Sequence, residues 1–212
     1  MRERGTDTRQ RQLINNSAMN IGIAILAAGA STRFGSAKQL APYNDTTLVS
    51  HCVAQCRAVR PPCTVAVVVG GPFQEAIAIE LADKKVQVLP NPDARSGIAS
   101  SIKVASAWAS DLKVDALLLV ACDQVMLKAD DYSLLIDNFR ESELPICCAS
   151  YSETFGIPAV FNSAFFDALS ALDGDRGAKS LILKHRDRVC LVALPQAAVD
   201  VDLPSDLLHT SN

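Results

Sequence analysis

From Met19 onward, short apolar runs alternate with segments of helical periodicity, and that alternation leaves few folds open. Ile21–Ala27, Thr64–Val69, Val86–Leu89 and Ala116–Ala121 read as strands that are apolar along their length rather than on one side only. Such strands are buried on both faces, as in a parallel sheet covered by helices above and below. Thr46 or Thr47 can cap a helix reaching about Val59, with Leu48, Cys52, Val53 and Cys56 on one face. Pro61-Pro62 ends it. Gly70-Gly71-Pro72 turns into a helix through Leu81, and a third helix spans about Ile98 to Ala109.

The second half is less regular. A helix from about Asp130 to Phe139 precedes strands near Ile146–Ala149 and Ile157–Phe161. A helix from Ser163 to about Leu172 follows, and Gly174-Asp175-Arg176-Gly177 turns into another that reaches His185. Arg188–Ala193 and Val199–Val201 read as short strands, and Pro204 opens a last helix. No internal repeat or linker divides residues 19–212, so they are expected to form a single-domain, three-layer α/β/α fold with a mostly parallel, Rossmann-like sheet. Residues 1–18 are polar and aperiodic and are expected to be a flexible extension.

Charge narrows the function. The 212 residues hold 20 Lys and Arg against 23 Asp and Glu. Arg2, Arg4, Arg9 and Arg11 face only Glu3 and Asp7 within the first 18 residues, which leaves the remainder at −5. A body that acidic offers no general surface for nucleic acid, so an anionic ligand must be held by local devices. The longest apolar run, Ala116–Cys122, is seven residues and too short for a bilayer. No apolar stretch follows the N-terminal arginines as a secretory signal requires. Seven cysteines without a C-x-x-C pair argue against a disulfide framework or a zinc ribbon and fit a cytoplasmic protein.

The chemistry gathers at two strand ends. In an open α/β sheet, ligands bind at the carboxyl ends of the strands. The first strand runs out into Leu26-Ala27-Ala28-Gly29-Ala30-Ser31-Thr32-Arg33-Phe34-Gly35-Ser36-Ala37-Lys38. Small residues let backbone N–H groups approach an anion, Arg33 offers a planar fork, and Lys38 a point charge. The spacing matches neither G-x-G-x-x-G nor a P-loop, and on spacing alone a plain βα turn with exposed basic residues stays open. The fourth strand ends at Asp123, a hard oxygen ligand suited to Mg²⁺ or else a cap for the next segment. Asp200 and Asp202 offer a second carboxylate, although Asp202 could equally cap the helix at Pro204. His51, His185 and His209 have no partner at catalytic spacing.

Leu26–Lys38 resembles the L-A-A-G-x-S-x-R-x-G-x-x-K signature of the MobA-like nucleotidyltransferases, above all their molybdenum cofactor cytidylyltransferase branch. The resemblance runs from Ile21 to Leu208. It takes in Asn91-Pro92 with Gly97 and Ser100-Ser101, Cys122-Asp123-Gln124, Gly156-Ile157-Pro158, Gly174–Ala178 and Asp200–Asp206. It implies that Leu26, Ala27, Ala28, Gly29, Ala30, Ser31, Arg33, Lys38, Asn91, Gly97 and Ser101 bind the nucleotide. Asp123 and Asp202 would hold Mg²⁺, with Arg33, Lys38 and Asp123 as the catalytic set. Gly156, Pro158, Gly174, Asp175 and Gly177 would shape the acceptor side. The partners so implied are CTP, molybdopterin or molybdenum cofactor, and a recipient molybdoenzyme or its chaperone. Other readings stay open: GTP as donor, another small phosphorylated acceptor, or a non-catalytic cofactor carrier. Val125 and Leu203 stand where the family pattern has Pro and Thr, and losing Pro removes a fixed φ beside Asp123.

Overall fold

The computed structural model describes residues 19–31 and 33–207. The expected extension over 1–18 and the end of the expected last helix lie outside those residues. The strands are β1 (Ile21–Leu26), β2 (Pro42–Tyr43), β3 (Thr46–Thr47), β4 (Thr64–Gly70), β5 (Gln87–Asn91), β6 (Ala116–Ala121), β7 (Ile146–Tyr151), β8 (Thr154–Asn162) and β9 (Val189–Ala193). The helices are α1 (Leu48–Arg57), α2 (Gln74–Glu80), α3 (Ile98–Asp111), α4 (Ala129–Ser142), α5 (Phe166–Ser170) and α6 (Ala178–Lys184). Seven strands form one sheet in the order β5-β4-β1-β6-β8-β7-β9, and β2-β3 form a separate hairpin.

The sheet is parallel from β5 to β6, where the strands read as evenly apolar, and β8 then runs antiparallel to both β6 and β7. No helix separates β7 from β8, so a tight hairpin joins them and direction reverses there. β9 returns parallel to β7.

Side-chain alternation along the strands splits the core in two. Ile21, Ile23 and Ile25 of β1 face the side covered by α1, α2 and α4, with Val65, Val67, Leu118 and Val120 beside them. Ala24 of β1 faces the side covered by α3, α5 and α6, with Leu117, Leu119 and Phe161. Each fully buried leucine of β6 contributes about 1.5–3 kcal/mol over its exposed state. Gly22 leaves room for Trp108 of α3, whose ring carbon would lie 2.9 Å from an added Cβ. Thr47 caps α1 by accepting a hydrogen bond from the Ser50 amide at 3.3 Å, so one of the two expected threonines does the work.

Three expectations for the chain are corrected. Val199–Val201 forms no strand: Val199 N–H donates to the Gln196 carbonyl at 3.3 Å in a local turn, and Val201 N–H donates to the Asp123 carbonyl at 3.0 Å. Pro204 opens only a 3₁₀ turn, Pro204–Asp206, within the described residues. Ser163–Phe165 is also 3₁₀, and the α-helix there covers only Phe166–Ser170. Each segment is too short to bury a continuous apolar face, and tertiary hydrogen bonds take over its backbone.

One glycine ties the halves together at the ligand edge. Gly97 has φ +99°, and a Cβ on it would stand 2.4 Å from the Gly174 carbonyl oxygen. The Gly174 carbonyl also accepts the Ala99 amide at 3.1 Å, docking the loop before α6 onto the start of α3. Gly97→Ala therefore carries both backbone strain and a clash. It is expected to cost about 1–3 kcal/mol, lowering the melting temperature by about 3–10 °C in thermal denaturation. Gly29 has open space around its Cβ position. Gly29→Ala is expected to stay within about 2 °C of wild type.

Candidate active site

Leu26 of β1 lies directly beside Ala121 of β6 in parallel register. The residues that follow, Ala27–Lys38 and Cys122–Asp123, therefore leave the sheet at the same edge. β1 is flanked by β4 on one side and β6 on the other, and the covering helices change face between the two crossings. That is the switch point where open α/β sheets bind ligands.

The loop after β1 is held in a definite shape. Phe34 and Gly35 donate their amides to the Ser31 carbonyl at 3.0 and 3.2 Å. Ser31 and Gly35 take positive φ values of 53° and 77°. Phe34 packs on a small core of Ala41, Tyr43, Leu48, Val125 and Val201, so the loop's far arm is anchored by burial. Lys38 then returns to the sheet edge. Its Nζ donates to Asp123 Oδ2 at 2.7 Å and lies 3.5 Å from Asp202 Oδ1. Arg33 Nη1 sits 2.9 Å from Asp202 Oδ2.

These two cations differ in what they contribute. The Lys38 side chain is 15% exposed. Its burial works against the charge, but Asp123 and then Asp202 outweigh it and raise the Lys38 pKa, so the ammonium stays charged. The Arg33 side chain is 72% exposed. An ion pair that open contributes little to stability, and the guanidinium is free to swing onto a bound anion.

Asp123 and Asp202 converge on one ammonium, so their oxygens face a single position where a small cation fits. Two hard carboxylates suit Mg²⁺, which keeps waters or phosphate oxygens in its remaining places. No group of three His, Cys, Asp or Glu side chains able to hold a metal occurs among the described residues. An ion here would therefore depend on ligand oxygens as well as on the protein.

Two cavities flank the loop. The first, about 160 Å³, is lined by Ala27, Ser31, Arg33, Lys38, Gln39, Cys122, Asp123 and Asp202 among others. The second, about 490 Å³, brings Ala28, Gly29 and Ala30 against Arg95, Gly97, Ser101, Ile157 and Asp175. Leu26, Gly29 and Asp123 line both, so the cavities meet at the two strand tips.

Most sequence-predicted residues thus share one edge, but not all of them line it. Asn91 is 1% exposed, donates to the Ser100 and Ser101 hydroxyls at 2.9 and 3.0 Å, and holds Ser101 from behind. Gly156 and Pro158 are buried in β8, and Ile157 between them lines the second cavity. Gly174 reaches the site through Gly97, and Gly177 sits at the start of α6. Asp202 caps nothing: its own amide and that of Leu203 donate to Asp206 Oδ2 at 2.9 and 2.7 Å, which leaves its carboxylate for Arg33 and Lys38.

Sequence reasoning missed Gln39, and within the expected Gly156-Ile157-Pro158 segment it singled out Gly156 and Pro158 where Ile157 lines the cavity. Gln39 is 4% exposed, yet nothing in Lys38-Gln39-Leu40 signals that its amide turns inward. Ile157 looks like a strand residue and becomes a cavity wall only because β8 crosses the edge there.

Asp200 adds a carboxyl group that feels the charges of Asp123, Asp202 and Lys38. Burial, then Asp123 and Asp202, push its carboxyl up to about 6 from 3.8, while Lys38 and the Gln124 amide pull the other way. A carboxyl raised in the fold holds its proton more tightly there than in the unfolded chain. Its contribution is thus complete below about pH 3.8 and is lost as pH rises through about 6. Because Asp200 is exposed to solvent, water softens the effect. Without added metal, Asp200→Asn is expected to raise the melting temperature at pH 7.5 and to match wild type near pH 4. Calorimetry at the two pH values checks this.

The family described as MobA-like NTP transferase domain matches residues 23–189. Among solved structures, Rv0371c from Mycobacterium tuberculosis H37Rv is similar at 28% identity and TM-score 0.79, covering 91% of this chain and 97% of its own. The same protein in complex with manganese gives 26% identity and TM-score 0.74, over 91% of this chain and 98% of its own. A homologue of it from Mycobacterium sp. strain JC1 gives 28% and 0.72, over 89% and 93%. No curated protein matches the sequence.

Proposed function

This chain belongs to the MobA-like NTP transferase domain family, and from that premise we propose that it transfers a cytidylyl group from CTP to molybdopterin or molybdenum cofactor, releasing pyrophosphate. The observation that carries the reading is the meeting of the β1 and β6 tips, with Lys38 2.7 Å from Asp123 and two cavities opening to either side. The choice of CTP rests on the resemblance of Ala27-Ala28-Gly29 and Cys122-Asp123-Gln124 to the CTP-using branch. Residues 19–212 form the catalytic unit, and the product passes in the cytoplasm to a molybdoenzyme or its chaperone.

The chemistry is attack by an acceptor phosphate oxygen on the α-phosphorus of CTP. A new P–O bond forms as the bond to the β-phosphate oxygen breaks, and pyrophosphate leaves with that electron pair. Two anions must approach one another, so positioning and charge neutralisation dominate the barrier. The amides of the Ala28–Ser31 loop present donors to the nucleotide. Lys38 transfers its charge from the carboxylates to phosphate oxygens, and Arg33 releases Asp202 to grip a phosphate with its planar fork. Gly97, Ser101 and Asp175 wall the second cavity on the side away from the loop. Mg²⁺ held by Asp123 and Asp202 would add Lewis-acid stabilisation of the negative charge on phosphate oxygens.

The test is a donor screen of CTP, GTP and ATP with molybdopterin and Mg²⁺, read as pyrophosphate release. Release from CTP well above the other two is expected. Release from GTP or ATP alone, or turnover only with an unrelated phosphorylated acceptor, overturns the cytidylyl reading. Asp123→Asn and Arg33→Ala are each expected to lower the rate by about tenfold or more, a loss of at least ~1.4 kcal/mol in barrier stabilisation. Full rates in both variants would remove the site assignment.

A further inference from the structure

Gln39 touches the loop after β1 at three points. Its Nε2 donates to the Ala27 carbonyl at 3.0 Å and to the Gly29 carbonyl at 2.9 Å, and its Oε1 accepts the Ser31 hydroxyl at 3.1 Å. The Ser31 oxygen in turn accepts the Lys38 amide at 3.2 Å, closing the loop on itself. At 4% exposure, with donors and acceptor all engaged, the side chain has one tenable orientation.

The consequence follows from peptide planarity. In a trans peptide the carbonyl of one residue and the N–H of the next point in opposite directions. Turning the Ala27 and Gly29 carbonyls toward Gln39 therefore turns the Ala28 and Ala30 N–H groups away from it. The two cavities agree with that division: Gln39 and Ala27 line the first, Ala28 and Ala30 the second, and Gly29 both. Among the described residues, neither the Ala28 nor the Ala30 amide has a hydrogen-bond partner, although Ala28 is 5% exposed. A buried donor left without a partner is costly unless a ligand or water receives it.

We propose that Gln39 is a positioning residue that aims the Ala28 and Ala30 N–H groups into the second cavity, where they bind acceptor oxygens or nitrogens of a nucleoside triphosphate. The inference deepens the nucleotidyl-transfer reading and rests on it for the class of ligand, but not on the choice of CTP. Gln39 itself touches no reacting atom. Its effect is on donor geometry, so its loss raises the KM for the nucleotide while leaving that for the acceptor in place.

The informative variant is Gln39→Glu, which keeps the side chain's size but puts acceptors against both carbonyls. The wild-type chain is first titrated with CTP, GTP and ATP by calorimetry, and its ¹⁵N-labelled amides are followed by NMR. Whichever triphosphate binds is then used for the variants, so a preference for GTP or ATP sinks the cytidylyl reading and leaves Gln39 to be judged separately. The expected result is a shift of the Ala28 and Ala30 amide resonances on binding, and at least a tenfold weaker Kd in Gln39→Glu. The nucleotide KM should rise in parallel and the acceptor KM should stay within twofold. Ser31→Ala, which frees Gln39 Oε1 and leaves both carbonyl contacts, should weaken binding about threefold. If Gln39→Glu does not fold, Gln39→Met is judged by the same criteria. Nucleotide affinity within twofold of wild type in a folded Gln39 variant overturns the proposal. So do Ala28 and Ala30 amides that stay still on binding, or a wild-type chain that binds none of the three triphosphates.

Discussion

The pairing of Leu26 with Ala121 in parallel register decides where everything else at this edge can be. Strand pairing repeats every two residues, so a one-step slip of β6 would exchange the faces of Leu117, Leu118 and Leu119 as well as move Asp123. The burial of those leucines on both faces resists that slip. Core packing thus fixes to within one residue how far Asp123 stands from the loop after β1. The 2.7 Å contact between Lys38 and Asp123 is a product of that register before it is a feature of the site.

With the tips held together, the edge carries a balance of charge that a ligand can redistribute. Arg33 and Lys38 face Asp123 and Asp202 across the first cavity. A triphosphate would compete for the cations, and a divalent ion would compete for the carboxylates. Each ligand would therefore free partners for the other, which would couple their binding through ordinary Coulomb attraction. Lys38 is the stronger link because it is mostly buried and contacts both carboxylates. Arg33, largely in solvent, gives up its partner at little cost.

The sequence made the parallel half of the sheet legible, because β1, β4 and β6 are apolar on both faces, while Thr47 and Pro61-Pro62 bound the helix between β1 and β4. It also put Lys38 and Asp123, the candidate site residues, in the segments just beyond the ends of strands, where topology alone puts binding sites. What it hid depends on contacts between distant segments. The reversal at β8 shows in no single residue. Gly97 looks like one more loop glycine until the Gly174 carbonyl is seen beside it, 77 positions away in the chain. Gln39 reads as an exposed polar residue, and only the curl of the loop brings the Ala27 and Gly29 carbonyls to its amide. The short stretches around Val199 and Pro204 carried strand and helix signals that were locally sound. They were overruled because Val201 and Asp206 spend their bonding groups on the strand tip and on the segment that presents Asp202.

The absence of proline at position 125 puts the rigidity of Asp123 in question, and the neighbouring contacts answer it. A proline would restrict one dihedral angle just after the Asp-Gln pair. Here the segment is restrained from three directions instead. The Asp123 carbonyl accepts the Val201 amide at 3.0 Å. The Gln124 side chain, 5% exposed, donates to the Ala197 carbonyl at 2.8 Å and to that of Ile157 at 3.2 Å. Val125, also 5% exposed, packs with Tyr43, Leu48 and Val201 in the same small core that anchors Phe34. A β-branched side chain in a close-packed core has little rotamer freedom, and its backbone moves only if the core does. Burial thus supplies locally what the ring would have supplied covalently. It also joins the Asp123 tip to the arm carrying Arg33, so the two sides of the cleft share one support.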